Sequence, residues 1–140
     1  MRALICAASL LGLLTVVALT SRPAGAQDDE KLTIKQIMAK LHKGAKAPLS
    51  AAKAQLKGES PDWEKLEAEA KIIEKLGTFL AKTEAPRGDQ ADYEKLAKAY
   101  EKNAKDLLEA AKEKDLDKAK AATKKLGASC KACHTAHKPE

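Results

Sequence analysis

Cysteine, histidine and aromatic residues are scarce in this 140-residue chain. Of its three cysteines, Cys6 lies in an apolar N-terminal run and the other two are Cys130 and Cys133. None is left over for a structural disulfide. Aromatics make up 3% of the residues: Trp63, Phe79, Tyr93 and Tyr100. Such a chain builds a small, Ala-rich core. No segment alternates polar and apolar residues as a strand does, which removes the α/β architectures. Paired carboxylates, a glycine-rich phosphate loop and a nucleophile triad are all missing, so nothing suggests a hydrolase. Lys and Arg number 26 against 20 Asp and Glu. That mild excess is too small for a nucleic-acid binder.

What the chain does have is Cys130-Lys131-Ala132-Cys133-His134. This CxxCH spacing is the attachment signature of c-type haem. Two thiols add to the two vinyl groups of one porphyrin, and the following imidazole binds its iron. On a helix, residues three and four apart share a face, so one turn presents all three groups together. A thioredoxin-type CxxC opens a helix in an α/β chain, whereas this one lies near the C-terminus of a chain without strands. A zinc site needs a further ligand pair, and His42 and His137 do not make one.

The N-terminus reads Met1-Arg2, then an apolar run from Ala3 to Leu19, then Ala24-Gly25-Ala26. A positive start, an apolar middle and a small-residue site describe a secretory signal peptide over residues 1–26, cleaved after Ala26. Cys6 leaves with it, so both remaining thiols are available to a porphyrin. Export to the periplasm agrees with the motif, because haem is attached to such proteins outside the bacterial cytoplasm. No stable membrane insertion is expected after cleavage. Residues 27–140 suffice for one domain. Loss of Arg2 and Arg22 lowers the formal charge from +6 to +4.

Four long amphipathic patterns follow. Thr33 and Gln36 form a capping box ahead of Ile34, Ile37, Met38, Leu41 and Ala45, with Leu32 and Ile37 placed as a hydrophobic staple. Gly44 and Pro48 punctuate its end, and an Ala-rich stretch from Ser50 to Lys57 predicts a short helix. Ser60 caps the next long helix with Pro61 at its first position, and its stripe is Trp63, Leu66, Ala70, Ile73 and Leu76 or Gly77. Pro86 and Gly88 mark a loop. A third helix spans Gln90 to Lys114 with Tyr93, Leu96, Tyr100, Leu107 and Ala111 on one face. Asp115 caps the fourth, whose stripe runs Leu116, Ala119, Thr123, Leu126, Cys130, Cys133, His134, His137. Lysines and acids alternate along the helices, the pattern of solvated faces. The fold class is all-α, an antiparallel four-helix bundle with haem on the last helix.

With CKACHTAHK over residues 130–138 inside the last helix of such a bundle, the chain resembles the class II c-type cytochromes, the cytochrome c′ family. Lys138 stands where that family carries Arg or Lys. His137 departs from it, since the family often has an aromatic there; one turn past His134, it is expected near the haem edge or in solvent. The resemblance implies one haem c bonded to Cys130 and Cys133, with His134 as proximal iron ligand. It also implies that a first-helix residue faces the other side of the iron. The segment IKQIMAKLHKG resembles the low-spin members, which makes Met38 the candidate distal ligand. His42, one turn on, is the alternative, and an open sixth position is the third. Gly127 fits either a close approach of a neighbour or a tolerated surface glycine.

The expected function is a periplasmic electron carrier that is not an enzyme and pairs with redox partner proteins. The competing reading is a five-coordinate haem protein that binds nitric oxide or carbon monoxide. A homodimer is compatible with the family pattern, but no apolar stripe separates a dimer surface from the core.

Overall fold

Thr33 opens the first helix, α1 (Ile34–His42), through a complete capping box: its hydroxyl accepts from the Gln36 amide and the Gln36 side chain accepts from the Thr33 amide. The computed structural model describes residues 32–138. The signal-peptide reading with its cleavage site after Ala26 lies outside these residues. Four more helices follow: α2 (Pro48–Gln55), α3 (Trp63–Leu80), α4 (Gln90–Glu113) and α5 (Leu116–His137). The protein is all-α. It has the four-helix-bundle fold, with the two short helices α1 and α2 both packed on α3 as the first arm. Among the described residues, no helix is long and apolar enough to cross a membrane.

Two starts differ from the sequence reading. Pro48, read as a stop, opens α2 at its first position. A proline lacks the N–H that the first turn leaves unpaired anyway, so it suits a start better than an end. The cap of α3 is Asp62, not Ser60, and Asp62 Oδ1 accepts from the Lys65 amide at 3.1 Å. A carboxylate there also meets the positive end of the helix dipole.

The long helices pack as consecutive antiparallel neighbours. Lys114 ends α4 in the left-handed conformation (φ 56°), and Asp115 at once caps α5 by accepting from the Lys118 amide at 2.9 Å. A two-residue reversal leaves α5 no choice but to run back along α4. Between α3 and α4 the approach is close at Gly77, where an added Cβ would stand 3.3 Å from the Tyr100 ring.

The core is small-residue-rich, as the scarcity of aromatics requires. Leu66, Ile73, Leu107 and Leu126 are fully buried among Ala52, Ala70, Ala104 and Ala119. Each such Leu or Ile contributes about 1.5–3 kcal/mol by leaving water. Along α5 the stripe is graded. Ala119, Thr123 and Leu126 are buried, Cys130 and Cys133 are half-buried, and His134 is exposed. The same helical face thus passes from the core to the wall of an opening.

Candidate haem site

That opening lies between α1 and the C-terminal half of α5. It is a cleft of about 610 Å³ whose walls include Ile34, Met38, Leu80, Tyr93, Cys133, His134 and His137. The volume falls in the range of ordinary cofactor sites. A small apolar recess continues from it between Met38, Leu80, Leu96, Tyr100, Cys130 and Cys133. Cys133, His134, Met38 and Leu80 border both spaces.

Each wall is held by identifiable contacts. Asn103 Nδ2 donates to Ser129 Oγ at 3.1 Å and Ser129 donates to the Lys125 carbonyl, fixing α5 to α4 one residue before Cys130. Tyr93 presents its ring to the cleft, while its hydroxyl is 2.6 Å from Thr83 Oγ1, which in turn donates to the Leu80 carbonyl at 2.7 Å. On α1, Ile37 and Leu41 are buried in the core and Met38 is half-buried beside them. Met38 therefore points from the seam of that helix into the opening.

Cys130 and Cys133 carry free thiols. Burial pushes both up from the ordinary thiol range; Lys53 partly opposes this at Cys130, and the neighbouring Cys130 and Asp92 add to it at Cys133. Burial also holds the Tyr100 hydroxyl well above its usual range. That hydroxyl has no hydrogen-bond partner among the described residues. An orphaned phenol beside two free thiols, in an apolar recess open to a larger cleft, fits a site built around an apolar group with a polar rim.

Of the sequence candidates, Cys130, Cys133, His134 and Met38 come together around one space. His42 lies one turn further along α1. Its imidazole is pushed below its ordinary range by burial, then by Lys53 and by His134, so it is within electrostatic reach of the proximal candidate. Gly127 has room: an added Cβ would meet only the Lys53 ammonium, at 3.9 Å.

His137 is the residue that sequence reasoning missed. Expected near a haem edge or in solvent, it is 2% exposed and forms part of the cleft wall. Its Nδ1–H donates to the Arg87 carbonyl at 2.7 Å, Nε2 is 3.2 Å from Asp92 Oδ2, and its ring stands edge-on to Tyr93 at 5.4 Å. The loop between α3 and α4 is thereby clamped to the end of α5. Gly88 (φ +81°) permits it, because a Cβ there would meet His137 Nδ1 at 3.2 Å and the Ala136 carbonyl at 3.3 Å. The signals in the sequence were the place of His137 on the stripe of the last helix and its departure from the aromatic usual at that position.

The family model of cytochrome c′ matches residues 33–138, which include all five helices and the whole cleft. No curated protein and no solved structure gives a significant match. The family match agrees with the all-α architecture and with a haem-sized opening beside the CxxCH turn, and this chain belongs to the cytochrome c′ family of haem c proteins.

Proposed function

We propose that the protein is an exported, periplasmic electron carrier rather than an enzyme, holding one haem covalently through Cys130 and Cys133. His134 would bind the iron from α5 and Met38 from α1. When bound, haem supplies an iron that cycles between Fe(II) and Fe(III), with electrons passing through its edge. The chain's part is to seat the group, exclude water with Leu80, Tyr93 and Ile34, and offer a thioether. The observation that carries this reading is that Met38 and His134, on different helices, border the same cleft.

Two measurements test it. Mass spectrometry of protein matured in a competent bacterial host is expected to give residues 27–140 plus one haem that survives acid-acetone extraction. Loss of the haem mass in wild type rejects covalent attachment. Optical and EPR spectra are expected to be low-spin in both oxidation states, without rapid carbon monoxide binding. A high-spin ferric spectrum with ready carbon monoxide binding would replace the carrier by the gas-binding reading.

A further inference from the structure

The alternation of lysines with acids holds for only part of the chain. Residues 58–117 carry 16 Asp and Glu against 11 Lys and Arg. Residues 32–57, which form α1 and α2, hold six lysines and no acid. Residues 118–138, nearly the whole of α5, again hold six lysines and no acid. In α3, α4 and the turn into α5, lysines pair with acids, as in Lys71–Glu67, Lys102–Asp106, Lys105–Glu101 and Lys118–Glu113. Within the two lysine-only segments no such pairing is available from the segment itself.

The fold brings these two segments to the two sides of one opening. Lys35 of α1 and Lys138 at the end of α5 border the cleft. Lys53 of α2 reaches across to Gly127 of α5 and acts electrostatically on Cys130 and His42. Lys131 is exposed beside Cys130. Lys35 and Lys138 thus place positive charge on the cleft wall, Lys53 and Lys131 lie on the helices that flank it, and Asp92 is the acid paired with His137. The excess of acids lies on the segment that forms α3 and α4, so charge is segregated along the chain while the two lysine-only segments supply opposite sides of the cleft.

We propose that this rim, centred on Lys35, Lys53, Lys131 and Lys138, is the docking surface for an acidic redox protein whose carboxylates surround its own electron-exchange site. The proposal rests on the carrier reading and adds the contact surface and the sign of its partner. Charge complementarity supports it. Positive charge gathered on the two sides of the opening turns an approaching anionic surface toward that face, where net charge alone would give no orientation.

The test uses the haem-loaded protein with two probes. Oxidation of reduced protein by hexacyanoferrate(III) is followed against ionic strength. Reversing the rim (K35E, K53E, K131E, K138E) is expected to slow that reaction about tenfold at low salt and to flatten its salt dependence. Reversing four lysines of α4 (K95E, K98E, K102E, K112E) changes net charge equally and is expected to leave the rate near wild type. Equal effects of the two sets would overturn the proposal, since net charge would then suffice. Poly-L-glutamate followed by amide NMR is expected to shift signals of α1, α2 and the end of α5 only. Shifts spread over α4, or stronger binding to vesicles of anionic lipid than to poly-L-glutamate, would reject an acidic protein as the occupant. Self-association abolished by the rim reversal would assign the surface to the acidic helices of a second copy instead. The peptide measurement needs no redox activity, so failure of the carrier reading is separable from failure of the surface.

Discussion

The Nδ1–H of His137 and the main-chain carbonyl of Arg87, fifty residues apart, meet at 2.7 Å. This bond closes the far end of the haem cleft. It ties the helix that carries Cys130, Cys133 and His134 to the loop that follows α3. The Arg87 side chain reinforces it from the other direction, with its guanidinium donating to the Thr135 carbonyl at 3.4 Å.

His137→Phe keeps a ring against Tyr93 but leaves the Arg87 carbonyl without its donor. A loss of about 1–3 kcal/mol is expected in urea unfolding of the haem-loaded protein. His137→Gln, which can still donate, is expected to lose less. Equal stability of wild type and the Phe variant would show that the clamp contributes nothing.

Gly88 and Gly44 both have positive φ, +81° and +94°, but only Gly88 is crowded. Gly44→Ala faces open space, so its cost is confined to backbone strain of about 1–2 kcal/mol. Gly88→Ala adds contacts with His137 and Ala136 and is expected to cost clearly more. Paired thermal melts decide the order, and a larger loss at Gly44 would contradict the packing described.

Met38→Ala is expected to remove a far-red sulfur-to-iron band, lower the haem potential and admit carbon monoxide. His42→Ala is expected to leave all three nearly unchanged. The opposite pattern would transfer the sixth position to His42.

His42 supplies a pH dependence. Its folded-state imidazole is pushed below the ordinary value of 6.5 by burial, by Lys53 and by His134. The folded state therefore binds this proton less readily than the unfolded chain does. Its contribution to stability is complete above about pH 6.5 and declines as pH falls toward the folded value. Lys53→Met is expected to raise the His42 midpoint in an NMR titration of the reduced protein. An unmoved midpoint would remove Lys53 as a cause.

Local chemistry was legible before the fold. Thr33 with Gln36 and Asp115 before α5 cap their helices as their positions indicate, because a capping oxygen and its amide lie within one turn. The CxxCH turn was legible for the same reason, whereas Met38 was singled out by family resemblance and its place on the cleft wall comes from the structure. Ser60 misled because Asp62 offers the same chemistry two residues on, and sequence spacing does not rank the two. His137 was illegible because its partners, Arg87 and Asp92, lie far away in the chain. Only the path of the loop after α3 brings them together.

The break between α1 and α2 has a kinetic consequence. At nine residues, α1 is too short to persist as a helix in water and depends on seating Ile37 and Leu41. α4, by contrast, seats seven buried residues along its length. Met38 thus rides on a segment with little to lose by peeling away. Amide protons of α1 should exchange with solvent long before those of α4. On the proposed coordination, binding of Met38 to the iron would follow a local-unfolding equilibrium of one short segment while the remainder of the bundle stays folded.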